Sequence, residues 1–208
     1  MRLKLLLVIG FLALMTSGCD LGPVGTPPPL TRPQARALAN CQHTIKVSSS
    51  AYLSTKFAKM GDCADKILAL QLAFENGLMT SAQFETALDL VRKACLKNFE
   101  AIGRASTTMT DLIFTNCSPV EDIIFNPSYD PLQFIALSST PTFPSGPKLL
   151  GDIESVGDIV RYACLGGEIW MDTALFYNMP RFSRLLETAD LNMEAIPLDE
   201  RCFNGFTP

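Results

Sequence analysis

The sequence has a single histidine, His43, in 208 residues. That excludes a His-rich metal centre and leaves a Ser-His-Asp type triad only one residue to build on. There is no C-x-x-C pair, so zinc-ribbon and dithiol redox chemistry lack their ligands. No G-x-S-x-G elbow, Walker loop, H-E-x-x-H, EF-hand loop or G-x-G-x-x-G pattern occurs either. Gly146-Pro147-Lys148-Leu149-Leu150-Gly151 carries two glycines and a lysine but not the spacing of a phosphate loop. No strand-like run is long enough to build a sheet. Acids are missing from the first 19 residues, and all 21 Asp+Glu follow, against 17 Lys+Arg in total. The formal net charge is −4, and loss of residues 1–18 with Arg2 and Lys4 makes it more negative by two. That balance argues against a nucleic-acid partner, which needs a basic stripe to neutralise phosphates. A hydrophobic content of 48% is enough for a core and excludes a disordered chain. No catalytic residue, cofactor or metal is assigned on this reading, and the chain is expected not to be an enzyme.

What is present begins with an address. Residues 1–18 read MRLKLLLVIGFLALMTSG, with Arg2 and Lys4 ahead of an apolar run of 11 residues from Leu5 to Met15. A spanning helix needs about 20 apolar residues, so this run has the length of a secretory h-region and not of an anchor. The exit is Thr16-Ser17-Gly18-Cys19. It resembles the lipobox of bacterial lipoproteins, with Thr16 where leucine is usual. The resemblance implies that residues 1–18 are a signal peptide and that Cys19 is lipidated as the first residue of the mature chain. It also implies attachment to a membrane of the bacterial cell envelope. Asp20 follows directly and favours the inner membrane under the rule that holds for enteric bacteria. The other reading is an ordinary cleaved signal that leaves Cys19 an unpaired thiol. Seven cysteines favour lipidation, because removing one leaves an even set of six. Residues 19–33 then form a tether with five prolines between Asp20 and Pro33. In extended polyproline geometry it reaches up to ~40 Å.

Export places the remaining cysteines, Cys41, Cys63, Cys95, Cys117, Cys164 and Cys202, in an oxidising compartment, where three disulfides are expected. Cys41 and Cys63 are 22 residues apart, and so are Cys95 and Cys117, a twin C-x21-C array. On a helix that step is six turns plus roughly 40°, so each pair lies near one face about 33 Å apart. A bond within a pair is then out of reach. An antiparallel hairpin joins positions whose numbers share one sum, and Cys41–Cys117 and Cys63–Cys95 both add to 158, centred on residue 79. Asn76-Gly77 is a helix stop, and Thr80 with Gln83 is a capping box, so turn chemistry falls at the same centre. The parallel pairing, Cys41–Cys95 with Cys63–Cys117, stays open and needs a chain break near Gly61.

Apolar positions at helical spacing support two long arms over residues 34–117. They are Cys63, Ile67, Leu70 and Phe74, then Phe84, Leu88, Val91, Cys95, Ile102, Met109 and Ile113. Ser48–Ser50 and Gly61 suggest a kink in the first arm, and Gly103 a bend in the second. The arrangement resembles twin-CX9C coiled-coil-helix proteins in its bridging logic alone, with a longer spacing and no implied function.

Residues 118–150 contain Pro119, Pro127, Pro131, Pro141, Pro144 and Pro147 and read as an irregular strap packed by apolar clusters such as Ile123-Ile124-Phe125. Residues 151–208 read as a small helical subregion. Its first helix leads to Cys164, a second covers Glu168–Asn178, and a third runs from Arg181 to Met193, with Cys164–Cys202 closing the region. The fold class is all-α. Three groups carry candidate chemistry. His43 could serve as a general base in a cleft. Asp152, Glu154 and Asp158 gather at a helix opening, where carboxylates suit the dipole and a calcium role is the sharper alternative. Trp170, Phe176, Tyr177 and Phe182 belong to a core or, if exposed together, to a protein-binding patch. The expected function is therefore a membrane-anchored envelope lipoprotein acting as a non-catalytic scaffold or protein-binding module with an envelope protein partner. The alternative is an envelope enzyme or ligand-binding protein with a site under the Pro-rich segment.

Overall fold

The structure is a computed structural model that describes residues 29–126, 155–166 and 182–202. Two long helices dominate it: α1, Arg32–Glu75, of 44 residues, and α2, Ser81–Cys117, of 37 residues. They pack against each other as an antiparallel hairpin, α1 being about 66 Å long at 1.5 Å per residue. A 3₁₀ turn at Ser118–Val120 and the short α3, Glu121–Ile124, follow. Then come α4, Val156–Arg161, a π turn at Tyr162–Gly166, and α5, Phe182–Thr188. Two more 3₁₀ turns, Met193–Ala195 and Glu200–Cys202, end the described chain. Every element among the described residues is helical.

Both arms open with the same chemistry. Thr80 caps α2, its hydroxyl accepting from the Gln83 N–H at 3.3 Å while Gln83 Oε1 accepts the Thr80 N–H at 2.8 Å. Thr31 and Gln34 repeat the pair at the head of α1. This corrects the tether boundary, since Arg32 and Pro33 lie inside the helix. Proline is tolerated there because the first-turn N–H groups have no helical acceptor. Between the arms, Gly77 sits at φ 70°, the Leu78 N–H donates to the Ala73 carbonyl and the Gly77 N–H to the Phe74 carbonyl, both at 2.9 Å. These two bonds close α1 in a Schellman motif around a left-handed residue.

The hairpin is bridged by Cys41–Cys117 and Cys63–Cys95, with Cα atoms 4.8 and 5.3 Å apart. The antiparallel pairing is thus the one the structure adopts. All four cysteines are fully buried, in line with Ile67, Leu88, Phe99, Ile102, Met109 and Ile113. Polar bonds accompany each bridge. Asn40 Nδ2 donates to Asn116 Oδ1 at 2.6 Å beside the outer one. Asn98 Nδ2 donates to the Lys59 carbonyl and to Asp62 Oδ2 beside the inner one.

Neither arm is broken at the serines and glycines expected to kink it. α1 runs unbroken through Ser48–Ser50 and Gly61, with Ser48 Oγ donating to the Thr44 carbonyl at 2.7 Å. A mid-helix glycine costs about 1 kcal/mol, and packing along the partner arm outweighs that. α2 likewise passes through Gly103.

The C-terminal part lies against the hairpin and is closed by Cys164–Cys202. Its last helix is shorter than the expected Arg181–Met193. α5 ends at Thr188 because Asp190 adopts φ 54° and the Leu191 N–H turns back to the Leu186 carbonyl at 2.9 Å. An aspartate is one of the few non-glycine residues that take this conformation readily. Arg92 of α2 holds the end, its Nε donating to the Ala189 carbonyl at 2.6 Å. The expected helix at Glu168–Asn178 and most of the Pro-rich strap lie outside the described residues.

Candidate functional site

Of the three groups with candidate chemistry, the described members are His43, Asp158 and Phe182. His43 stands exposed on α1. Asp158 lies in the first turn of α4, where Ser155 Oγ donates to its Oδ2 at 2.7 Å and accepts its backbone N–H at 3.1 Å. It acts there as part of a helix cap, and Asp152 and Glu154 lie outside the described residues. Phe182 is buried at the head of α5, whereas Trp170, Phe176, Tyr177 and Cys19 fall outside the described residues. Among the described residues no three His, Cys, Asp or Glu side chains cluster as a metal site.

Among the described residues, the most elaborate polar arrangement is where the C-terminal segment crosses α2. Ile196 is buried, and the Pro197 carbonyl lies where a Cβ on Gly103 would be, 2.4 Å from the ideal position. Two residues on, the Asp199 N–H donates to the buried Ser106 Oγ at 3.0 Å, which itself donates to the Gly103 carbonyl at 2.8 Å. Arg201 then clasps Asp199 through Nε at 2.8 Å and Nη2 at 2.8 Å, and reaches Asp111 of α2 at 2.7 Å. Its guanidinium also sits 5.7 Å from the centre of the Phe114 ring, within cation–π range. Cys202 follows immediately and is bonded to Cys164. Beside this crossing runs an open groove of about 530 Å³ lined by Glu100, Gly103, Arg104, Thr107, Thr108 and Pro197. It holds no thiol or histidine, and its hydroxyls are threonines. Thr107 and Thr108 donate back to the carbonyls of Gly103 and Arg104.

The clasp has an acid limit. Hydrogen bonds from the Arg201 side chain hold the Asp199 carboxyl below its ordinary range, aided by the Arg201 backbone N–H and by Thr107. A depressed carboxylate contributes stability that is complete above its unfolded pKa, about 3.9, and is lost as pH falls through the lower folded value. Asp199→Asn should therefore destabilise the protein at pH 6 and cost progressively less below pH ~4. Denaturant titrations of both proteins across that range check this, and a constant difference would show that the carboxylate charge is not what holds Arg201.

Two surfaces remain. The tip of the hairpin exposes Leu68, Leu72, Phe74 and Leu78, and Leu90 of α2 is 64% exposed, so this end is apolar without being covered. The other end is cationic. From Leu21 to Gly61 the chain contains no Asp or Glu, and Arg32, Arg36, His43 and Lys46 of α1 are all exposed. None of the ion pairs among the described residues involves Arg32, Arg36 or Lys46. Sequence reasoning missed this face because the acidic total conceals it. The signal was the length of the acid-free run. No family model, curated protein or solved structure matches the chain.

Proposed function

We propose that the protein is a lipid-anchored component of the bacterial cell envelope, attached through Cys19 and acting as a non-catalytic scaffold or protein-binding module. The observation that carries this reading is a helical rod with three disulfides in a chain that opens on a lipobox-like leader. Disulfides persist where export has taken a protein out of the reducing cytoplasm. A rod braced at two levels suits display, because its faces keep their spacing when a partner binds. Its described surface offers exposed leucines at the tip and an open, solvated groove at the C-terminal crossing, which suit contact with a protein more than containment of a small reactant. Asp20 favours the inner membrane as the site of attachment.

Cys19→Ala tests the anchor. Wild type should take up labelled acyl chains and sediment with membranes, because two or more chains at roughly 0.8 kcal/mol per buried CH₂ hold stably. The variant should lose the label. An unlabelled wild type that is soluble after export would leave an ordinary signal peptide and end the lipoprotein reading.

A further inference from the structure

We infer that the exposed cationic face of α1 next to the tether is a docking surface for an anionic phospholipid bilayer. The inference deepens the lipoprotein reading and rests on it for the nearness of a membrane.

The face is set by helix geometry. Arg32, Arg36, His43 and Lys46 follow at steps of four, seven and three, which at 100° per residue places them within about 80° of one another over roughly 21 Å. The helix itself does nothing to neutralise them, since its first acid is Asp62. Among the described residues, the acids on neighbouring elements toward this end are Asp111, Glu121 and Asp122, with Asp158 on α4 and Asp199 and Glu200 beside Arg201. Asp111 and Asp199 are taken up by Arg201, Glu121 accepts the Val156 N–H and Asp158 accepts from Ser155 Oγ, which leaves Asp122 and Glu200 exposed. The chain as a whole carries −4, so an anionic surface repels most of the molecule and attracts this part.

Continuity with the tether identifies the occupant. Thr31 caps α1, and the 12 residues back to Cys19 reach at most ~40 Å. A bilayer holding Cys19 is thus within reach of this face at all times, at a high effective concentration. Attraction acts within a Debye length of about 8 Å, and each cation that enters that layer strengthens contact roughly fivefold. Docking lays the first four turns of α1 along the membrane and leaves the apolar tip about 45 Å further along the rod.

The test uses the chain exported behind a conventional leader cleaved ahead of residue 19, with Cys19→Ser so that no acyl group contributes. Flotation is measured with phosphatidylglycerol-containing vesicles and with pure phosphatidylcholine vesicles. The protein should float with the first and not the second, and high salt should release it. Arg32→Gln, Arg36→Gln and Lys46→Gln together should weaken binding roughly a hundredfold. Lys66→Gln, Lys93→Gln and Lys97→Gln remove the same charge from exposed sites nearer the tip and should leave binding within about twofold. Equal flotation with both vesicles, an unaffected first variant, or equal losses in the two variants would each overturn the inference. Because the assay carries no acyl chain, a negative acyl-labelling result on the native protein bears on the anchor and leaves this outcome intact.

Discussion

Cys41→Ala together with Cys117→Ala is expected to lower the unfolding free energy by up to about 4 kcal/mol. With Cys63–Cys95 intact, the outer bridge closes a circuit of 22 residues on each arm, and the chain entropy removed from the unfolded state sets the magnitude. The loss should be uneven. The outer half of α1 buries Leu38, Cys41, Ser48 and Tyr52, a sparser apolar stripe than the Phe99, Ile102, Met109 and Ile113 that α2 presents over the same length. α2 is also braced by the C-terminal crossing at Gly103, Ser106 and Asp111. Hydrogen exchange should therefore accelerate by roughly two to three orders of magnitude in amides 36–50, and little in amides 88–99 around the inner bridge. Uniform acceleration along both arms would show that the outer bridge supports the hairpin as one unit.

The second large effect is expected at Gly103. Even Gly103→Ala puts a methyl group 2.4 Å from the Pro197 carbonyl oxygen and 3.0 Å from its Cγ. Neither side can give way cheaply. Ser106 holds Asp199 two residues on, the Cys164–Cys202 bond fixes the chain three residues later, and bridges at Cys95 and Cys117 hold α2 on either side of Gly103. Overpacking of this kind costs about 1–3 kcal/mol. Gly103→Leu should exceed it and detach residues 196–201, visible as faster exchange of the Asp199 amide and a new protease-sensitive site. Gly61→Ala, inside α1, serves as the comparison, since a mid-helix alanine there gains up to about 1 kcal/mol of helix propensity. A Gly103→Ala protein as stable as wild type would mean that the crossing adjusts without loss.

The hairpin was legible because its evidence is local or periodic. Helical spacing puts each cysteine pair on one face, turn chemistry at Asn76-Gly77 and Thr80 marks the centre, and the structure bonds Cys41 to Cys117 and Cys63 to Cys95. Gly103 has a role that the periodic pattern does not disclose. A glycine inside a helical pattern is compatible with a bend and with the close approach of another segment, and the second shows only once Pro197, more than ninety residues away, is placed against it. The start of α1 was concealed by its own prolines, although Thr31 and Gln34 spell the same capping box that was recognised at Thr80 and Gln83. α5 stops short because of the conformation of Asp190, which no periodicity reports. The cationic face escaped notice because charge was summed over the chain and not along α1.

The position of the outer bridge has a mechanical consequence. The chain enters α1 at Thr31 and leaves the hairpin at Cys117, whose Cα lies 4.8 Å from that of Cys41. Tension between the anchor proposed at Cys19 and anything pulling on the later part of the molecule would pass from residue 41 to residue 117 through sulfur. The intervening span, a sequence separation of 76, lies off the load path. Pulling can unwind at most the first turns of α1, up to the bridge. Under force the rod between residues 41 and 117 and its apolar tip stay folded, and the extension falls on the tether, on the first turns of α1 and on the residues beyond Cys117.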